Sequence, residues 1–295
     1  MLRGILPPLV TPFHPDGALD LASFEANLES YAAEDLAGYV VLGSNGEAAS
    51  LEEDEKLALL RAARRRCGSR LVIAGTGLES TRSTIAFTAR AADTGADAAL
   101  VLTPSCFKSQ MTVEALRRHY DAVAEASSIP VLLYSFPAVT GLPFPLPLAA
   151  AVAGHPRIVG MKESSGDVGL FGRIVASVPA SFAVACGSAP AFYPSLCIGA
   201  AAGILAVANC APRPAAALYR AFAASDHTRA RRIQEALTPL AVAVTATHGV
   251  AGLKAAVDLS GRRGGSVRSP LLPLPPAIRD ELRRLLDAAE SAAKN

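Results

Sequence analysis

The sequence predicts a closed (β/α)8 barrel, a TIM barrel, that is followed by a C-terminal helical extension. Short apolar segments alternate with longer helical patterns from residue 5 to residue 207, and repeated strand–helix alternation indicates a parallel sheet. Most of the apolar segments are continuous, as expected for parallel strands that are buried on both faces. Eight such units within about 200 to 250 residues favour a closed barrel over an open sheet.

The predicted elements follow one another in a regular order. Strands are predicted at residues 5–10, 39–42, 71–74, 98–102, 131–134, 158–161, 183–186 and 203–207. Helical patterns cover residues 51–66, 80–94, 113–126 and 171–177. From about residue 226 the chain changes to helical segments at 228–247, 251–259 and 276–289. We therefore predict a barrel with the active site in residues 1–225 and a helical extension in residues 226–295.

Composition argues against several classes of protein. The chain of 295 residues is 51% hydrophobic and 18% charged, which is typical of a globular protein. Its net charge of +2 gives no reason to expect a nucleic acid or an anionic membrane as a partner. The longest apolar stretch, residues 196–208, falls short of the roughly 20 residues of a membrane helix. Pro7 and Pro8 interrupt the apolar N-terminal run, so we expect a soluble, cytoplasmic protein.

Cysteine and histidine spacing predicts neither disulfides nor a metal site. The five cysteines and five histidines are dispersed, without a C-x-x-C or H-E-x-x-H pattern, which indicates reduced thiols and no metal ligand set. The segment from Gly75 to Ser80 lacks the third glycine of a dinucleotide-binding loop. We expect no metal and no organic cofactor.

Lys162 is the strongest candidate for a reactive group. It stands where an apolar run, residues 157–161, changes to a polar loop, and a lysine that ends a buried strand is uncommon because desolvating an ammonium is costly. Burial favours the neutral amine, which attacks carbonyl groups. A lysine that only snorkels to water is the alternative. Only five of the 28 basic residues are lysines, and arginine cannot form an imine.

Other strand ends add a phenol and hydroxyl groups. In a (β/α)8 barrel the active site lies at the carboxyl ends of the strands, where Tyr134 ends the fifth predicted strand and Gly43-Ser-Asn-Gly46 follows the second. A lysine with a phenol is the minimum set for Schiff-base chemistry with proton transfer. Successive N–H groups in the glycine-rich turn suit a carboxylate or phosphate, although an ordinary tight turn is equally compatible with the sequence.

Five motifs in register resemble the dihydrodipicolinate synthase / N-acetylneuraminate lyase superfamily. They are Gly43-Ser-Asn-Gly-Glu47, Leu102-Thr-Pro104, Leu133-Tyr-Ser-Phe-Pro137, Gly160-Met-Lys-Glu-Ser164 and Gly203 with Ala208-Asn209. The resemblance runs from Gly4 to the C-terminal helices. It implies a class I pyruvate aldolase on a (β/α)8 barrel, assembled as a homotetramer or homodimer, that acts on a small 2-oxo acid.

Within the superfamily the chain looks most similar to 4-hydroxy-2-oxoglutarate aldolase, which implies cleavage to pyruvate and glyoxylate. Ser44-Asn45, Tyr134-Ser135 and the segment from Gly249 to Lys254 with Gly264-Gly265 carry this similarity. The alternatives are 4-hydroxy-tetrahydrodipicolinate synthase and a 2-keto-3-deoxy sugar acid aldolase or dehydratase. A homologue that binds pyruvate or another 2-oxo acid with weakened catalysis is the non-enzyme alternative.

Two positions depart from the pattern of the synthases. Val139 stands where they carry an arginine that holds the second substrate, and a valine cannot bind a carboxylate. Cys106 stands where the synthases and the oxoglutarate aldolase have a tyrosine that completes a proton relay in the neighbouring subunit. A thiol is a weaker hydrogen-bond donor than a phenol, so Cys106 is only a possible inter-subunit relay position.

The resemblance assigns expected roles to the remaining residues. Lys162 forms the imine and serves as the electron sink, so no cofactor is needed, while Tyr134, assisted by the Ser44 hydroxyl, moves the proton. The expected substrate-binding residues are Ser44 and Asn45 through their N–H groups, Ser164 at the far end of the substrate, and Gly187 and Ile204 at the pyruvate end. Glu47 and Glu163 are expected to position loops.

Overall fold

Eight parallel strands form a barrel in the computed structural model, which describes residues 2–294. The strands are β1 Gly4–Ile5, β2 Gly38–Val41, β3 Leu71–Gly75, β4 Ala98–Leu102, β5 Val131–Ser135, β6 Ile158–Glu163, β7 Ala183–Cys186 and β8 Ala202–Gly203. They pair in the order β1-β8-β7-β6-β5-β4-β3-β2. An isolated parallel bridge between Pro8, three residues after β1, and Val40 in β2 completes the circle. The predicted (β/α)8 barrel is confirmed.

Helices connect the strands and surround the barrel. Those up to residue 223 are Leu21–Tyr31, Glu53–Arg66, Thr81–Asp93, Val113–Ala126, Pro137–Thr140, Leu146–Val152, Val168–Ser177, Phe192–Cys197 and Pro212–Ala223. Several begin at side chains that accept a bond from an otherwise unpaired N–H of the first turn: the Ser80 hydroxyl accepts from Ser83 at 3.1 Å and the Thr112 hydroxyl from Ala115 at 3.2 Å. The helices predicted at 80–94 and 113–126 lie where such caps are found.

The first and last predicted strands were too long. Of the predicted residues 5–10 only Ile5 belongs to β1, which is Gly4–Ile5, because Pro7 and Pro8 have no N–H to continue a ladder. Residues 203–207 leave the sheet after Gly203 and turn into a short 3-10 helix, Ala206–Asn209. Both irregular segments are held by the buried Asn209 side chain, which donates to the Pro8 carbonyl and accepts from the Val10 N–H, at 2.9 and 3.1 Å.

The C-terminal extension packs over the end of the barrel. It contains His227–Val242, a π-helical turn Ala243–Thr247, and the helices Gly249–Leu259 and Arg279–Lys294. Gln234 fastens the first of these to the loop after β7, since its side chain donates to the Ala189 carbonyl and accepts from the Tyr193 N–H, at 3.0 and 2.8 Å. The extension therefore lies beside the carboxyl ends of the strands.

Two apolar layers hold the barrel together. One fills its interior, where Leu6, Val40, Leu100 and Leu132 are buried; the other lies between the strands and the surrounding helices. Within residues 2–294, no helix combines the length and the apolar character that crossing a membrane requires.

Candidate active site

Lys162 and Tyr134 lie side by side at the carboxyl ends of β6 and β5. The ladder between these strands pairs Tyr134 directly with Lys162, after a register shift between Val131 and Leu132. Side chains at paired positions of neighbouring strands point to the same face of a sheet, so both groups project from the same end of the barrel. The two residues that sequence reasoning made central to the chemistry are thus neighbours in space.

The amine of Lys162 is buried and bonded to a phenol. Its residue is 3% exposed, its Nζ donates to the Tyr134 hydroxyl at 3.2 Å, and it lies 4.2 Å from the centre of the Tyr134 ring. Among the residues that the structure describes, no carboxylate lies within ion-pair distance of this amine. Lys162 is therefore held in place by the phenol of Tyr134, and its Nζ is not engaged in an ion pair with a carboxylate of the described chain.

Gly187 provides the space beside the lysine. A Cβ atom at this position would overlap the Ser164 hydroxyl and would come within 2.9 Å of Lys162 Cε, closer than carbon atoms approach without displacement. Glycine is thus required so that the lysine stem and the Ser164 side chain can flank the same space. The Ser164 Oγ is buried, and we find no hydrogen-bond partner for it between residues 2 and 294.

The turn at Ser44 and Asn45 presents backbone donors to the same space. It is a single 3-10 turn, Ser44–Gly46, closed by bonds from the Gly46 and Glu47 N–H groups. We find no acceptor in the described chain for the N–H groups of Ser44 and Asn45. Leu42 and Glu47 flank the turn in the left-handed region, with φ of 65° and 53°, a costly conformation for such residues that marks a locally constrained backbone.

These groups border one cavity of about 380 Å3, a size typical of small-molecule sites. Six of the expected site residues line it, namely Ser44, Asn45, Tyr134, Lys162, Ser164 and Gly187. The cavity therefore brings together the amine of Lys162, the phenol of Tyr134, the backbone turn at Ser44 and Asn45, and the Ser164 hydroxyl.

Ile204 and Cys106 do not line this cavity. Ile204 packs in the barrel interior, and its N–H donates to the Cys186 carbonyl at 2.9 Å; Ala206 and Val207, just after β8, line the cavity instead. Cys106 is exposed on the loop after β4, where its N–H donates to a Glu79 carboxylate oxygen at 2.7 Å. A role for Cys106 in a neighbouring subunit stays a prediction.

Part of the cavity wall comes from the C-terminal extension and was missed by sequence reasoning. Val242, Thr245, Ala246, Gly249 and Val250 line the cavity from the π-helical turn and the helix ends on either side of it. A signal was present in the sequence, because Thr-His-Gly at 247–249 interrupts a long helical pattern. It gave no indication that the break faces the barrel.

Glu47 anchors the constrained turn to two basic residues, the buried Lys254 and the partly buried Arg268. Its carboxylate forms an ion pair with Lys254 and accepts the Arg268 N–H at 2.8 Å. Arg268 in turn binds both oxygens of Glu55 at 2.7 Å, and Lys254 also donates to the Ser266 carbonyl. Burial lowers the pKa of Lys254, an effect that the neighbouring Glu47 opposes.

Glu163 and Cys186 lie close to the lysine without entering the cavity wall. The Glu163 carboxylate accepts the Ser165 N–H at 2.8 Å, which shapes the loop after β6, and burial raises the pKa of Glu163. Burial also raises the pKa of the Cys186 thiol to about 11, which leaves a thiol rather than a reactive thiolate near neutral pH. No group of three or more metal-ligating side chains is found between residues 2 and 294.

Comparison with known proteins agrees with this architecture. The family model described as the dihydrodipicolinate synthetase family matches residues 1–289. A protein of Exiguobacterium sibiricum named 4-hydroxy-tetrahydrodipicolinate synthase is 38% identical over 273 residues, which cover 92% of each chain. A protein of the same name from Xanthomonas axonopodis pv. citri is 38% identical over 302 residues, which cover 99% of this chain and 95% of that one.

A solved structure has the same fold over nearly the whole chain. The chloride-inhibited dihydrodipicolinate synthase from Acinetobacter baumannii complexed with pyruvate superposes with a TM-score of 0.92 at 31% identity, covering 98% of this chain and 99% of that one. Because the family model spans nearly the whole sequence and these relatives match over most of their lengths, the chain belongs to the dihydrodipicolinate synthetase family.

Proposed function

We propose that this protein is a class I, pyruvate-dependent lyase that breaks or forms a carbon–carbon bond through a Schiff base on Lys162. The observation that carries the proposal is the amine of Lys162, buried in the cavity 3.2 Å from the Tyr134 hydroxyl. The family of the chain and the pyruvate complex of the Acinetobacter baumannii relative support pyruvate as the first substrate.

Pyruvate enters with its carboxylate toward the Ser44–Asn45 turn. Two N–H groups in succession, at the start of a 3-10 turn, suit the two oxygens of a carboxylate. This position leaves the carbonyl carbon facing Lys162. The amine attacks that carbon, and loss of water gives the imine, with Tyr134 delivering the proton to the departing oxygen and assisted by the Ser44 hydroxyl.

The protonated imine then acts as an electron sink. In the synthetic direction it loses a proton from the former pyruvate methyl group and becomes an enamine, whose carbon attacks the carbonyl of a second substrate. In the cleavage direction the same enamine is the product of breaking the C3–C4 bond. Hydrolysis of the imine releases the 2-oxo acid and restores the amine of Lys162.

Among specific reactions, the relatives favour 4-hydroxy-tetrahydrodipicolinate synthase, the name that the Exiguobacterium and Xanthomonas proteins carry. They give no support to 4-hydroxy-2-oxoglutarate aldolase, the reaction that the sequence motifs had suggested first. The two reactions share the imine and differ in the second substrate. The synthase reaction is therefore the second candidate function, and it is more narrowly defined than the pyruvate-dependent lyase function proposed above.

Exchange of the pyruvate methyl hydrogens in D2O tests the proposal without knowledge of the second substrate. Enamine formation replaces these hydrogens by deuterium, which proton NMR follows directly. We expect exchange with the wild-type protein and none above background with Lys162→Ala or Lys162→Arg. Rapid exchange in either folded variant, or none with the wild type, would rule out the imine mechanism; binding without exchange would favour a pyruvate-binding homologue.

A further inference from the structure

The cavity wall that comes from the loop after β5 and from the C-terminal extension is mostly apolar, and Thr245 is the one polar residue that the structure describes in it. Phe136 and Val139 line the cavity after β5, and Val242, Ala246 and Val250 line it from the C-terminal extension. Val139 is 55% exposed and Val242 39% exposed, although large apolar side chains lose free energy when water covers them. A ligand that covers these valines would remove that cost.

Lys162 is the one cationic residue among the cavity-lining residues that the structure describes, and no acidic residue lines the cavity. Once Lys162 is bound to pyruvate as an imine, no second cation is available for another carboxylate. Lys108 is not among the lining residues; its ammonium lies against Gly141. Burying a carboxylate against an apolar wall without a partner is costly, so this wall selects against a second charged group.

We propose that the second substrate is an uncharged aldehyde with an apolar substituent, an inference that rests on the proposed lyase function and departs from the synthase reaction that the names of the relatives favour. The enamine carbon attacks the aldehyde carbon, and one carbon–carbon bond forms. The aldehyde oxygen takes a proton and becomes a hydroxyl group, and water hydrolyses the imine. The products are a 4-hydroxy-2-oxo acid and the free amine of Lys162.

The unpartnered hydroxyl of Ser164 is placed to bind the aldehyde oxygen. Ser164 and Lys162 flank Gly187 on the same side, where a Cβ would meet both side chains. A neutral hydroxyl serves as a donor to a carbonyl oxygen, and Ser164 therefore orients the aldehyde while the apolar wall receives its substituent.

A panel of aldehydes tests this inference. Isobutyraldehyde and benzaldehyde represent apolar acceptors, glyoxylate and aspartate semialdehyde carry a carboxylate, and glyceraldehyde carries hydroxyl groups. Product formation with pyruvate is measured by liquid chromatography and mass spectrometry. We expect kcat/KM to be at least about 10-fold higher for the apolar aldehydes, as one missing charged hydrogen bond implies.

Val139→Arg supplies the absent cation at an exposed position. It should raise kcat/KM for the carboxylated aldehydes by about 10- to 100-fold, since hydrogen bonds to charged groups contribute about 1.5–3 kcal/mol. The matched control Val139→Leu should keep the wild-type preference, and so should Lys108→Ala. An unchanged ratio of kcat/KM between apolar and carboxylated aldehydes in Val139→Arg would overturn the role of the wall.

Methyl exchange in D2O separates failure of this inference from failure of the proposed function. Two outcomes overturn the inference alone. In both, methyl exchange occurs, and the wild-type protein either prefers carboxylated or hydroxylated aldehydes or does not turn over apolar ones. Absence of exchange in the wild type overturns the proposed function and this inference with it.

Discussion

Two buried lysines, Lys162 and Lys254, occupy similar surroundings and have different partners. They are 3% and 1% exposed, and the Nζ of each lies over an aromatic ring, at 4.2 Å from the centre of the Tyr134 ring and 4.5 Å from that of the Phe13 ring. Lys254 forms an ion pair with Glu47 and donates to a backbone carbonyl. Lys162 has a phenol as its partner and faces the cavity.

The difference teaches that partners, rather than burial, distinguish a reactive lysine from a structural one. A buried carboxylate balances the charge of an ammonium group and fixes its position. Lys254 uses that arrangement to fasten the turn that carries Ser44 and Asn45. Lys162 has a phenol as its partner instead of a carboxylate, and in the proposed mechanism the same phenol moves the proton.

Replacement of Lys162 gives the largest expected effect. Lys162→Met should remove all pyruvate methyl exchange above background, because the covalent route needs the amine. The same change should leave stability equal or higher, since it removes a buried amino group that has no carboxylate partner and keeps an apolar stem of similar length. NMR exchange and urea unfolding measure the two effects. A large loss of stability would contradict the interpretation that Lys162 has no carboxylate partner.

Tyr134→Phe should slow exchange while leaving the lysine in place. The loss of a positioned proton donor lowers rates by about 100- to 10,000-fold. The stacking of the aromatic ring at position 134 on Phe136 is retained in the variant. Exchange rates at saturating pyruvate measure the change. A rate within a factor of two of the wild type would assign the proton transfer to another group.

Lys254→Met should affect stability far more than chemistry. Removing one partner of a buried ion pair costs about 3–5 kcal/mol, because the Glu47 carboxylate is left without its cation. The double variant Lys254→Met with Glu47→Gln should recover part of that loss. Urea unfolding measures both, and the folded fraction of Lys254→Met should still form the imine on Lys162. A stability equal to that of the wild type would show that the pair is not structural.

His119 is a third buried basic residue, and it shows the effect of burial on the pKa of a side chain. Its Nδ1 lies 2.9 Å from the Thr81 hydroxyl, and burial lowers its pKa from 6.5 to about 4. Between these values the unfolded chain binds a proton that the folded chain does not, so stability falls as pH falls from 6.5 toward 4. The contribution is about 3 kcal/mol at most, at 1.36 kcal/mol for each unit.

The variant His119→Asn isolates that contribution. Its free energy of unfolding should depend less steeply on pH between 6.5 and 4 than that of the wild type, because asparagine does not titrate while the other groups remain. Chemical denaturation at several pH values provides the comparison. Parallel curves for the two proteins would mean that His119 does not carry the effect.

The sequence was sufficient to predict the barrel and the adjacency of Lys162 and Tyr134. Continuous apolar strands mark a parallel barrel, and residues at strand ends of a barrel meet at one face, which placed Lys162 and Tyr134 together. The ends of β1 and β8 were misjudged because apolar composition continues where Pro7, Pro8 and the Asn209 contacts end the ladder.

Long-range contacts were beyond the reach of sequence patterns. Glu47 was expected to position a loop, and its partner Lys254 lies far along the chain in the extension. The apolar wall from Val242 to Val250 depends on how the π-helical turn faces the barrel. Such contacts are set by tertiary packing, which a local hydrophobic period does not encode.

Borohydride trapping with pyruvate, followed by peptide mapping, tests the contrast between the two lysines most directly. The reductant converts an imine into a stable secondary amine, so the modified residue is identified by mass. We expect one reduced pyruvate adduct, on Lys162, and an unmodified Lys254 in the same folded protein. An adduct on Lys254, or no adduct on Lys162, would contradict it.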